Sequence, residues 1–138
     1  MIYEELTSKI LEACFEVSNE LGVGYIESVY EKALQVALLQ KGFTVERQIP
    51  LKVDFRGVTV GDFAADMIVE GKVMLELKAV DNFSNQHFAQ LLNYLKTTGI
   101  EVGLAINFGN PKLQYRRFEN RFSQKLNMQD AFRDLLGE

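Results

Sequence analysis

The sequence predicts an α/β sandwich, a central mixed β-sheet with helices packed against it, and three observations carry that prediction. Two amphipathic helical stretches open the chain, between residues 2 and 40. From 43 to 80 the apolar period drops to two and β-branched residues become common. A third helix, near 84–98, then precedes an almost wholly apolar run from Glu101 to Phe108, which suits a strand covered on both faces. With 138 residues, a single domain over 1–138 is expected.

In the first helix Ile2, Leu6, Ile10, Val17 and Leu21 recur at spacings of four or seven, with Glu4, Glu5, Glu12, Glu16 and Glu20 mostly opposite. Gly22-Val23-Gly24 ends it. The second helix, from about 25 to 40, carries Ile26, Tyr30, Ala33, Leu34, Ala37 and Leu38 on one stripe, and Gly42 is its expected cap. Strands are expected at 43–49, 51–55, 58–69 and 73–80, cut into antiparallel hairpins by Arg56-Gly57 and Glu70-Gly71-Lys72. Pro50 marks a strand start or a bulge. Ser84 caps the third helix, whose apolar side is Phe88, Leu91, Leu92 and Leu95, and Gly99 ends it. Gly109-Asn110-Pro111 turns the chain into a last strand near 112–119, and a short helix is expected through Ala131, Phe132, Leu135 and Leu136.

Charge narrows the function classes. Nineteen acids against fifteen bases give a net charge of −4, which argues against a protein that grips nucleic acid by bulk electrostatics alone. The distribution is uneven: residues 112–125 carry Lys112, Arg116, Arg117, Arg121 and Lys125 against Glu119 alone. These bases are either a phosphate-binding end or an ordinary solvated face. The single cysteine, Cys14, excludes an internal disulfide and suits a reducing compartment. No apolar run approaches the roughly 18–20 residues of a membrane span, and the N-terminus is acidic where a secretory signal is basic. A cytoplasmic protein with no membrane association is expected.

The chemistry concentrates between Asp66 and Lys78. In the strand from Val73, the residues Val73, Leu75 and Leu77 face one way, and Met74, Glu76 and Lys78 face the other. If Glu70-Gly71-Lys72 is a three-residue loop, Val69 opposes Val73 and Asp66 opposes Glu76; a two-residue loop puts Asp66 on the wrong face. In the first register two carboxylates stand about 5 Å apart at Cβ, which needs something cationic between them. Hard oxygen donors without paired histidines or cysteines point to magnesium or manganese. Lys78 on the same side suits positioning a water and stabilising charge on a phosphate. The competing interpretation is a structural Glu76–Lys78 ion pair with Asp66 at a strand edge. On the third helix His87, Gln90 and Tyr94 fall at i, i+3 and i+7, a polar stripe able to meet a phosphate or a base edge. On the second helix Glu27 and Glu31 share a face, and either is able to complete a metal site.

Asp66, nine residues, then Glu76-x-Lys78 resembles the core of the PD-(D/E)XK nuclease superfamily, with Ala65 where a proline is customary. Gln90-x-x-x-Tyr94 resembles the additional motif of its RecB-like branch. The segment Leu21 to Glu31, with Gly24-x-x-Glu27-x-x-Tyr30, resembles the signature of the small bacterial GxxExxxY proteins grouped there. The resemblance spans about residues 5–119. It implies a restriction-endonuclease-like three-layer sandwich and a metal-dependent phosphodiesterase. In that reading Asp66, Glu76 and Glu27 (with Glu31 in reserve) hold magnesium or manganese, Lys78 handles the attacking water, and Gln90 and Tyr94 orient substrate or the lysine. The expected substrate is DNA, with RNA as the other option, and a homodimer or protein partner is compatible with the acidic balance. The rival expectation is a non-catalytic module that keeps the fold and binds nucleic acid or protein through Lys112, Arg116, Arg117 and Arg121.

Overall fold

The structure is a computed structural model and describes residues 2–120. Helices α1 (Glu4–Leu21) and α2 (Glu27–Gln40) come first, followed by strands β1 (Val45–Phe55), β2 (Val58–Val69) and β3 (Val73–Lys78). Helix α3 (Asn85–Thr98) then leads to β4 (Val102–Asn107) and β5 (Gln114–Glu119). The strands lie in sequence order in one sheet, with β3 and β4 parallel and the other neighbours antiparallel. Helix α3 is the crossover that a parallel pair requires.

Two apolar clusters divide the molecule into three layers. On one face Ile10, Ala13, Cys14 and Val17 of α1 and Tyr30, Leu34 and Leu38 of α2 bury against Met67, Val73, Leu75, Leu77, Leu104 and Ile106. On the other, Phe88, Leu91 and Leu95 of α3 bury against Ala65, Met74, Ala105 and Phe118. Strand β4 is buried along its whole length, as its unbroken apolar run requires. Each large side chain so buried contributes roughly 1.5–3 kcal/mol, which is why the centre of the sheet is the firmest part of the fold.

The expected mixed sheet with helices on both faces is what forms, with three differences in detail. The segments 43–49 and 51–55 are one strand, β1, because it is an edge strand in which a residue without an N–H is tolerated, and Pro50 pairs with Ala64 inside it. The pairing register shifts instead between Val53 and Asp54, and the strand backbone turns left-handed at Gln48, with a φ of 51°. There the layers exchange: Val45, Met67 and Val69 pack with α1 and α2, whereas Ile49, Leu51 and Ala65 pack with α3. Helix α2 starts at Glu27 and β3 stops at Lys78, each two residues short of expectation. The third difference is a fork. Strand β2 pairs with β3 only through Met67–Val69, so its outer part, from Val58 inward, is paired with β1 alone. The expected helix through Ala131 to Leu136, and Arg121, lie outside the described residues.

Candidate active site

The fork between β2 and β3 brings the two predicted acids together. Val69 opposes Val73, Ile68 opposes Met74 and Met67 opposes Leu75, the register of a three-residue loop. That loop has positive φ at Glu70 and Gly71 and a Lys72 N–H to Val69 C=O bond of 3.0 Å, the twist a tight hairpin needs. Where the backbone ladder stops, side chains continue it. The Leu77 N–H donates to Asp66 Oδ2 at 2.7 Å, and the Asp66 N–H donates to Glu76 Oε1 at 3.3 Å. Each acid thus satisfies a backbone donor left over by the parting strands, and so both carboxylates are held at one point.

Their electrostatics follow from that confinement. Glu76 is 3% exposed, and burial, reinforced by the charge of Asp66, pushes its carboxyl up to about 8. Burial also raises Asp66, against the Leu77 N–H, Lys78 and a Gln48 hydrogen bond, which lower it. Among the described residues Lys78 forms no salt bridge with Glu76; its charge instead acts on Asp66, Glu76, Glu27 and His87 together. The ammonium is therefore shared by the site and not spent on one partner.

Helix α2 contributes two carboxylates with different fates. Glu31 is 6% exposed, accepts from Gln48 Nε2 at 2.7 Å and pairs with Arg47 at 3.1 Å. Glu27, one turn earlier, is raised by burial and by Asp66 and lowered by Lys78, so it looks onto the paired acids. Between them, Tyr30 is fully buried and stacks on Phe108 at 4.9 Å, and its hydroxyl donates to Gly22 C=O at 2.6 Å and accepts from the Tyr25 N–H at 3.3 Å. The tyrosine clamps the turn from which α2 departs, and with it the position of Glu27.

Helix α3 supplies the opposite wall. Gln90 Nε2 donates to the Tyr94 hydroxyl at 3.0 Å, and Tyr94 is raised by burial and by the charges of Glu76 and Asp66. His87 accepts from the Ser84 N–H through Nδ1 at 3.2 Å and is held below its usual range by burial and Lys78.

Among the described basic residues, Arg116 and Arg117 serve different faces of the sheet. Arg116 lies over Phe88 and Phe118 at 4.9 and 5.0 Å on the α3 side. Its neighbour Arg117 must point to the other face of β5, where it reaches Ile2 C=O, Thr7 Oγ1 and Glu119. Lys112 is exposed on the turn before β5. Two residues that no sequence motif marks also shape the site. Gln48 joins Glu31 to Asp66 from its left-handed backbone position, a conformation that glutamine gives no sign of in sequence. Asn107, opposite Lys78 in the sheet and fully buried, accepts from the Val80 and Gly109 N–H groups and donates to Val80 C=O and Gln114. An asparagine inside an apolar strand was the available signal.

Among the described residues no three His, Cys, Asp or Glu side chains gather as a ligand cage. Asp66 and Glu76 nevertheless fit a hard divalent ion that keeps most of its waters, because such an ion takes one or two carboxylates. The local charge agrees: Asp66, Glu76 and Glu27 act on one another with Lys78 as their shared cation, leaving a negative excess when all are ionised.

A family model described as the PD-(D/E)XK nuclease superfamily matches residues 4–118. The chain belongs to the PD-(D/E)XK nuclease superfamily. The three-layer α/β sandwich is accordingly of the restriction-endonuclease-like kind. Superfamily membership is accompanied by likeness to solved structures. The crystal structure of SSO0001 superimposes with a TM-score of 0.54 at 15% identity, over 80% of this chain and 56% of that one, which is a likeness of fold. The crystal structure of an alkaline exonuclease (LHK-Exo) from Laribacter hongkongensis gives a TM-score of 0.49 at 10% identity, over 99% of this chain and 80% of that one. The chain thus spans just over half the length of SSO0001. No curated protein matches the sequence. No helix among the described residues is long and apolar enough to cross a membrane.

Proposed function

We propose that the protein is a metal-dependent nuclease that hydrolyses DNA phosphodiester bonds in the cytoplasm. The observation that carries this reading is the fork, where Asp66 and Glu76 each bind a backbone N–H of the other's surroundings and so stand together beside Lys78. In this reading Asp66 and Glu76 hold magnesium or manganese, with Glu27 as the carboxylate available for the ion or its waters. The ion supplies Lewis-acid polarisation of a phosphoryl oxygen and an acidified water. Lys78 orients the attacking water by hydrogen bonding and offsets charge that builds on the phosphate. Gln90 and Tyr94, already bonded to each other, hold the substrate strand against α3. The spacing Gly24-x-x-Glu27-x-x-Tyr30 supports the GxxExxxY proteins as the narrower grouping, and Gln90 with Tyr94 supports the RecB-like branch.

Incubation of the purified protein with single-stranded and duplex DNA and with RNA, in magnesium, in manganese and in EDTA, is the direct test. Metal-dependent cleavage abolished by Glu76→Ala and by Lys78→Ala is expected. Cleavage of nothing, or equal cleavage by both variants, overturns the proposal.

A further inference from the structure

Beside the fork, the β1–β2 ribbon and the outer face of α3 enclose a groove of ≈ 820 Å³. Val53 and Phe63 form one wall and His87, Gln90, Asn93 and Tyr94 the other. The volume is that of a small-molecule site, which runs to about 300–1,000 Å³. Phe63 is 46% exposed, yet its ring is placed: it meets Tyr94 at 5.8 Å and lies over Gly61, where a Cβ would come within 2.7 Å of it. Among the described residues no carboxylate lines the groove. Three side-chain amides, Gln86, Gln90 and Asn93, each offer a donor and an acceptor in one plane, beside His87, Tyr94, Thr97 and a single cation, Lys96.

Flat apolar faces with amides at the edge match one component of a nucleic acid. The phosphate backbone asks for cations, whereas a base asks for an aromatic face and for paired donors and acceptors. A base within a duplex has its faces covered by its neighbours and cannot enter. We infer that the groove is a binding site for an unpaired nucleobase, with Phe63 as its stacking platform and Gln90 and Asn93 at its edge. This rests on the nuclease reading and deepens it: the substrate carries a single-stranded nucleotide next to the cleaved bond. Tyr94 connects the two places, since it borders the groove and feels the charges of Glu76 and Asp66.

The test is binding without metal. In EDTA, fluorescence anisotropy compares a labelled single strand, the same strand with abasic sites, and a covalently closed circular duplex with every base paired. The intact strand is expected to bind wild-type protein at least 5-fold tighter than either of the other two, since stacking of one base is worth about 1–3 kcal/mol. Phe63→Ala should bring the intact strand down to the abasic level, and Phe63→Trp should restore the difference. Equal affinity of wild type for intact and abasic strands overturns the inference, even if magnesium later produces cleavage. Base-dependent binding that Phe63→Ala removes supports it, even if no cleavage is ever seen and the nuclease reading fails. The abasic comparison uses unaltered protein, so misfolding of a variant cannot decide the result. A preference for an apolar peptide over every oligonucleotide also overturns it.

Discussion

Glu76 carries a carboxyl raised to about 8 from an ordinary 4.5, by burial first and by Asp66 second. A group whose folded value lies above its unfolded one binds its proton more tightly in the native state. The stability it confers is complete below about pH 4.5 and is lost as pH rises through 8. Thermal unfolding in EDTA should therefore show melting temperature falling from weakly acid to weakly alkaline pH, and Glu76→Gln should flatten that slope. Magnesium should raise the melting temperature most at alkaline pH, since a cation then replaces the lost proton. The two α2 acids separate at this scale too. Glu31→Gln removes the charge that holds Arg47 and should destabilise the fold, whereas Glu27→Gln should change stability by less than about 0.5 kcal/mol. Glu27→Gln should instead lower cleavage about 10- to 100-fold, as loss of a carboxylate around a metal does. The sequence placed both acids on one helical face. It held no sign that Arg47 and Gln48, on an edge strand, occupy only the later one.

At the level of elements, the decisive feature is how turns aim side chains. The Glu70-Gly71-Lys72 turn was readable from a glycine between two β-rich runs, but its length was open between two and three residues; the pairing of Val69 with Val73 gives three, and that count decides which face Asp66 takes. The Gly22–Tyr25 turn was readable only as a break between helices. Its clamp by Tyr30 needs the buried hydroxyl, and a tyrosine on an apolar stripe reads simply as core. Tyr30→Phe keeps the ring stacked on Phe108 but leaves the Gly22 carbonyl and the Tyr25 N–H without their partner. Urea unfolding should register a loss of about 0.5–1.5 kcal/mol, and cleavage should fall with it because Glu27 is then held less firmly. An unchanged midpoint and rate would show that the clamp is dispensable. Strand β1 reads as two pieces in sequence because Pro50 interrupts it, a break that an edge strand absorbs.

For the molecule as a whole, the three layers were legible because each helix has one apolar stripe and β4 has none of the alternation of a half-exposed strand. The basic cluster was legible as composition, but the sequence alone did not show where each base is placed. Adjacent positions on a strand face opposite ways, so Arg116 and Arg117 serve different layers. Arg117 ties β5 to the start of α1, and Arg117→Ala should lower the melting temperature while leaving nucleic-acid affinity nearly unchanged. Lys112→Ala should do the reverse, with a shallower dependence of binding on salt, by about 0.7 in log–log slope for each single-strand phosphate no longer neutralised. Isothermal titration at several salt concentrations separates the two. A net charge of −4 gives little bulk attraction for phosphates, so the proposed selectivity rests on shape and stacking near the fork.

Among the described residues the outer β1–β2 ribbon has no third strand hydrogen-bonded to it beyond Met67. Its base is packed on α3 through Ile49, Leu51 and Ala65, and Phe63 reaches Tyr94, so only the part towards the Arg56-Gly57 turn stands clear of the central sheet. Its amide hydrogens should exchange with deuterium well before those of β3 and β4, and should slow when a strand lies beneath it. Stapling the tip of the ribbon to α3 with a short cross-linker should then bar entry of substrate while the carboxylates behind it remain intact.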